Sequence, residues 1–292
     1  MTAAAIWQYV LGGVADGAIF ALVAAGFVLI YQVTGIINFA QGEFVMIGGM
    51  TAASLVANGM PLAYAAPIAV LASAGVGAVC YLVAIRPARA ATGVTLIFIT
   101  LGLDVALRGL ALFVWNTNPL SLAPFSKGAS ITIFGGAIPP QTLWVLGTDA
   151  VVFVALYFFF ARTYAGTAVR AAVANPQIAS TFGIPLRTFA FASFVAAAAI
   201  GGLGGVVITP NLGGMQYDSG LTYGLAGFVA AVLGGLESLP GALLGGFALG
   251  IVEHLAGGLL STGWEQGIGF LILVLVLVVR PQGLLGRAAR RA

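Results

Sequence analysis

The chain has 292 residues, of which 61% are hydrophobic and only 7% charged, with a mean hydropathy of +1.10 and a formal net charge of +3. An ordinary soluble domain carries about 25% charged residues, and no soluble fold of this length could cover so much apolar surface, so the composition predicts an all-α, polytopic transmembrane helical bundle. A β-barrel is excluded because runs such as VVFVALYFFFA (151–161) and IGFLILVLVLVV (268–279) are continuous, where barrel strands would alternate.

Apolar segments lie at 10–31, 42–58, 61–85, 93–115, 142–161, 188–208, 220–236, 241–256 and 266–280. About twenty apolar residues span a bilayer, so these predict eight or nine membrane segments. The number depends on whether 32–41 is a loop or a break within the membrane. Nine of the eleven basic residues fall in three places: Arg86 and Arg89; Arg162, Arg170 and Arg187; and Arg280, Arg287, Arg290 and Arg291. The positive-inside rule puts all three on the cytoplasmic side, so the 162–187 loop and the C-terminus are expected there, and parity puts the N-terminus outside. The basic charge thus reports topology and not nucleic-acid binding. The opening MTAAAIWQYVLGG has no basic n-region, so a cleaved signal peptide is not expected. The whole chain, 1–292, reads as one transmembrane domain without short repeats.

Between 116 and 142 runs the longest outside connection, with four prolines and a possible short hairpin, ASITIFGGAI. It is either a cap over the bundle or a landing place for a soluble donor protein. Two apolar segments are interrupted, TGIINFAQGEFVMIGG (34–49) and AAVLGGLESLPGALLGG (230–246), each with one acid beside glycine. Paired broken segments in the two halves of a membrane protein point to a transport pathway. Asn38, Gln41, Glu43, Glu237 and Ser238 are therefore the pathway candidates, the alternative for each group being an ordinary turn. Asp104 and Arg108, spaced i,i+4 within 93–115, predict a neutralised structural pair on one helix face, the alternative being a direct role in holding substrate. Glu253 and His254 are adjacent but form no HExxH, and the chain has no GxSxG, no Walker A and no GxGxxG followed by a ribose-binding acid. Cys80 and His254 are alone of their kinds, so no catalytic or metal site and no cofactor is expected.

The loop RTYAGTAVRAAVANPQIASTFGIPLRTF (162–189) predicts a helix over about 166–181, with Val169, Val173 and Ile178 near one side, stopped by Gly183 with Pro185 following. Its residues allow either a helix lying among lipid headgroups or a docking helix for a cytoplasmic motor.

The segments GAIFALVAAGFVLIYQVTGIINFAQGEFVMIGG (17–49), RAAVANPQIASTFGIPLRTFAFASFVAAAAIGGLGGVV (170–207), GFVAAVLGGLESLPGALLGGFALGIVE (227–253) and LVLVVRPQGLLG (275–286) resemble, in order, the branched-chain amino-acid ABC transporter permeases of the H type. That resemblance implies an inner-membrane permease forming half of a translocation pathway. Its implied partners are a second related permease, two cytoplasmic ATP-binding subunits, a soluble substrate-binding protein and membrane lipid, with ATP consumed by the partners. It makes 166–183 the coupling helix, with Arg170, Asn175, Ala179 and Gly183 at matching positions, although Arg170 stands where the general ABC-importer motif usually opens on Glu. Permeases of the same group that carry urea or short amides resemble one another closely, so such a substrate remains the alternative. A self-sufficient secondary transporter or channel, using Glu43, Asp104 and Glu237 as titratable groups, is the other.

Overall fold

A computed structural model of the protein describes residues 3–88, 91–174, 179, 181–261 and 263–286. Each of the nine apolar segments forms a helix: α1 (Ala3–Thr34), α2 (Gln41–Ala57), α3 (Leu62–Cys80, prolonged by a wider π-type turn, Tyr81–Ile85), α4 (Gly93–Trp115), α5 (Pro140–Arg162), α7 (Leu186–Ile208), α8 (Ser219–Gly234), α9 (Leu239–Leu259) and α10 (Trp264–Val279). The tenth, α6 (Tyr164–Ala174), is the polar helix of the 162–187 loop. Among the described residues six helices (α1, α3, α4, α5, α7 and α9) are long and apolar enough to cross a membrane. Two of the shorter ones, α2 and α8, meet inside the bundle, and that meeting makes the site described below.

The bundle is built around α1, the most buried of the long helices, which packs along the length of α9. Lipid tails are as apolar as leucine, so helices in a membrane gain little by merely excluding solvent and associate through close van der Waals contact instead. Glycine supplies that contact here. A Cβ at Gly13 would lie 2.5 Å from Ile251 Cα, and one at Gly246 would lie 2.5 Å from the Ala21 nitrogen. α7 packs against α1, α2 and α3, and Ser73 of α3 donates to the Phe44 carbonyl of α2 (2.8 Å).

Contacts order the two ends of the bundle. At one end a two-stranded antiparallel hairpin, β1 (Ile131–Ile133) and β2 (Gly136–Ile138), turns through Phe134 and Gly135, both with positive φ. This is the hairpin expected in ASITIFGGAI. It docks on the start of α1: the Trp7 indole N–H donates to Ile133 O (2.8 Å), and Gln8 exchanges two bonds with Ala137. Leu120 pairs with Met215 in the α7–α8 connection. Residues 116–139 therefore lie against the N-terminal end of the bundle. At the other end the Gln32 amide donates to Glu237 O (2.7 Å), the chain at 284–285 bonds back to Leu233 O and Gly234 O, and the Tyr81 hydroxyl donates to Arg187 O. Arg86, Arg162, Arg187 and Arg280 belong to this second end, and the N-terminus lies opposite to it.

Candidate functional site at a helix break inside the bundle

α1 ends at the arginine-bearing end with Gly35 at φ +70°. The chain does not cross back as a loop in solvent. It re-enters, and α2 starts at the middle of the bundle: the Gln41 side-chain amide donates to the carbonyl of Ala197 (3.0 Å), the central residue of α7. The break forms because Gly35, the polar Asn38 and the small Ala40 interrupt the apolar pattern. It is tolerated because neighbours replace lost backbone bonds, as non-helical backbone inside a membrane requires. Thr100 of α4 donates to Ile37 O (3.2 Å) while also bonding its own helix at Ile97 O. The first turn of α2 crosses α8 glycine on glycine; a Cβ at Gly42 would sit 2.6 Å from Gly224 Cα.

Three polar side chains thereby enter the core: Asn38, Gln41 and Glu43 are all 0% exposed. The Asp104–Arg108 pair forms as expected, Arg108 Nη2 standing 2.6 Å from Asp104 Oδ2. It is not a separate feature, however. The same Nη2 lies 3.6 Å from Glu43 Oε1, so the break and the α4 pair form one cluster with two carboxylates around one guanidinium. Asp104 is the central residue of α4, which fixes the cluster at half depth. Gly220 closes the other side, its backbone against the Glu43 carboxyl.

Buried polar atoms in folded proteins nearly always have hydrogen-bond partners. Among the described residues seven buried side-chain nitrogens and oxygens have none, and six of them are here: both amide atoms of Asn38, Gln41 Oε1, both Glu43 oxygens and Arg108 Nε. The Arg108 side chain is also 23% exposed on the surface of this single chain. A part-exposed guanidinium at half depth has no place against hydrocarbon, since ionised groups within spans face a cavity, water or protein.

The other sequence-derived candidates lie elsewhere. Glu237 and Ser238 are in the turn between α8 and α9 at the arginine-bearing end, where Glu237 is exposed and the Ser238 hydroxyl caps α9 by accepting from the Gly241 nitrogen (3.0 Å). The fold does not bring them to Asn38, Gln41 and Glu43. In the 162–187 loop, Gly166 packs against Phe159 and Phe160, Val169 and Ala179 are buried, Arg170 is exposed, and Gly183 has φ +73° just after the helical residues. Asn175 lies outside the described residues, as do the structural details of Ile178.

Two features were missed in the sequence. Asp149 is buried in α5, with Oδ1 unbonded. A cleft of about 280 Å³ among α1, α8, α9 and α10 is lined by Asp16, Tyr223, Glu253 and His254, with His254 Nδ1 3.1 Å from Asp16 Oδ2. The signal for both was an acid inside an apolar segment.

These features define a class first: a polytopic helical membrane protein whose interior polar groups gather at a broken helix, the arrangement of transport proteins. Residues 9–277 match the family described as branched-chain amino acid transport system / permease component, and the chain belongs to that family. Its relatives include the high-affinity branched-chain amino acid transport system permease protein LivH of Salmonella typhimurium, 30% identical with 96% of this chain and 95% of that protein covered. The corresponding permease BraD of Pseudomonas aeruginosa is 28% identical over the same shares. The ribose import permease protein RbsC of Haemophilus influenzae is 23% identical, covering 89% of this chain and 80% of that protein. Among solved structures, PsaBC from Streptococcus pneumoniae in complex with Fab matches with a TM-score of 0.51 and 13% identity over 94% of this chain and 93% of that chain, a likeness of fold.

Proposed function

We propose that the protein is the membrane-spanning permease subunit of an ATP-driven ABC importer for branched-chain and other hydrophobic amino acids, in a bacterial inner membrane. The observation that carries the pathway is the Asn38–Gln41–Glu43–Asp104–Arg108 cluster at half depth, with a guanidinium reaching the surface of the single chain. A second, related permease placed against that surface would close a polar route between the two, each supplying half. Family membership supports the substrate class and the wider assembly: two cytoplasmic ATP-binding subunits and a soluble substrate-binding protein on the outer side.

Coupling to the ATP-binding subunits is assigned to α6 and the residues up to Gly183, at the cytoplasmic end with the C-terminus. This segment is held to the body by its buried face, at Val169, Ala172 and Ala179, and presents Arg170 outward. Tyr164 and Phe182 flank it at 97% and 81% exposure. Exposed aromatics beside an arginine are the residue types that anchor protein interfaces, which favours a protein partner here over lipid headgroups alone. Closure of the motor would push this helix, and the bundle would convert the push into alternating access.

The test is mass spectrometry of the complex extracted from its own cells in mild detergent. Two ATP-binding proteins and a second permease are expected. Recovery of this chain alone as a stable homo-oligomer would overturn the importer reading and favour a self-sufficient transporter or channel.

A further inference from the structure

The central cluster has spare hydrogen-bonding capacity of both signs. A guanidinium has five N–H donors in a planar fork; Arg108 uses Nη2 on Asp104, and its buried Nε bonds nothing. Glu43 faces Asp104 and Arg108, with Arg108 Nη2 3.6 Å from Oε1 and, among the described residues, no N–H or hydroxyl donor within hydrogen-bond distance of either oxygen, and Asn38, fully buried, has a free donor and a free acceptor. An arrangement meant only to hold helices together would be self-satisfied, because half-made buried networks are worse than apolar packing. A neutral ligand such as urea or an amide would need no fixed charges. A simple cation would leave the guanidinium fork unused, and a simple anion would face two carboxylates. Unsatisfied donors on a guanidinium beside unsatisfied acceptors on Glu43, with a second acid at Asp104, match a ligand that carries both charges a few ångströms apart.

We infer that Glu43, Asp104 and Arg108 bind the charged main-chain end of an α-amino acid in transit, resting on the importer reading above. The guanidinium of Arg108 takes the carboxylate in the paired geometry that arginine favours. Glu43 and Asp104, released from Arg108, accept from the ammonium, while Asn38 and Gln41 complete the remaining bonds. Because recognition is of the end common to all α-amino acids, this point in the permease does not distinguish their apolar side chains.

The site is closed in this conformation: Gly220 lies against the Glu43 carboxyl and the three polar residues of the break are fully buried. The wall able to move is α4. It is the least buried of the six long helices and rests chiefly on α2 and on the turn after α3. Displacing α4 separates Arg108 and Asp104 from Glu43, which opens the site and frees its charges in one motion.

The experiment uses the permease assembly purified with its own ATP-binding subunits and without the soluble binding protein. Saturation-transfer NMR, suited to weak ligands, follows L-leucine against isoamylamine, isovalerate and isovaleramide, which lack the carboxylate, the ammonium and both charges respectively. L-Leucine should give a signal that valine displaces and the three analogues displace roughly ten- to hundredfold less well, the scale of one lost charged hydrogen bond. Arg108→Gln should weaken L-leucine by a similar factor. Arg108→Lys, which keeps the charge but not the fork, should fall between, with co-purification of the ATP-binding subunits as the control for folding. Equal displacement by isovaleramide, absence of any L-leucine signal, or a wild-type signal in the triple variant Glu43→Gln, Asp104→Asn, Arg108→Gln would overturn the inference. If the wild-type assembly also imports L-leucine with ATP and its binding protein, that failure is confined to this site. If the complete wild-type system imports no amino acid, the underlying importer reading has failed.

Discussion

Arg108→Met removes the only cation, among the described residues, within reach of two buried carboxyl groups. Its Nη2 is 2.6 Å from Asp104 Oδ2 and 3.6 Å from Glu43 Oε1, so the substitution strands both acids. Removing one partner from a buried ion pair costs about 3–5 kcal/mol, whereas replacing all partners by neutral groups of like shape is often neutral or stabilising. The side chain is 23% exposed, which places the expected loss at the low end, about 3 kcal/mol. The triple variant Glu43→Gln, Asp104→Leu, Arg108→Met should recover most of it and come within about 1 kcal/mol of wild type. The measurement is reversible unfolding by SDS in mixed micelles, followed by circular dichroism, for wild type, single and triple variants. A single variant within about 0.5 kcal/mol of wild type, the range of an ordinary surface change, would refute the idea that Arg108 holds two carboxylates. A triple variant no better than the single would refute the assignment of the cost to stranded charge.

Gly42→Ala places a methyl 2.6 Å from Gly224 Cα; overpacking of this kind costs about 1–3 kcal/mol, and uptake should fall as α2 is pushed off α8, so unchanged uptake would remove the α2–α8 crossing from the pathway. Gly183→Val forces a β-branched residue into φ +73°, and with Arg170→Ala it should leave the protein in the membrane while ATP hydrolysis no longer drives uptake; full coupling in both variants would count against the assigned coupling segment. Cys80 is buried at 4% exposure, so in a Cys80→Ser background an impermeant maleimide added to intact cells should label Ser130→Cys and not Glu237→Cys. Labelling of Glu237→Cys from outside would invert the proposed topology.

Much of this fold was legible because a bilayer makes simple demands. Nine apolar runs became nine helices, the hairpin followed from alternating Ile131, Ile133 and Ile138 around Phe134-Gly135, and the chain after Thr34 broke where Gly35, Asn38 and Gln41 interrupt the run. What composition does not encode is depth. An acid with glycine in an apolar stretch describes both Glu43 and Glu237, yet one lies at the centre and the other in an exposed turn. The difference is set by the pairing of α2 with α8 and α7 and by the C-terminal residues that bond to Leu233 and Gly234. The link between Glu43 and Arg108 was hidden for the same reason: i,i+4 spacing exposes Asp104 to a sequence reading, but the third charge comes from another helix.

The broken helix explains why this cluster persists at a site where plain apolar packing would be more stable. α2 has only 17 residues and starts at half depth, so its free N-terminal N–H groups, and the partial positive charge they carry, lie inside the bundle. Glu43, in the first turn, offsets that charge, and Arg108 then offsets Glu43. Asp104 holds Arg108 from one turn away. Each polar group is thus required by the one before it, and the whole chain of compensation would vanish if α2 began at the surface. A continuous helix from α1 would have satisfied its own backbone without any of these residues. On the importer reading proposed above, the break is kept because its polar groups meet something other than protein or lipid during part of the cycle.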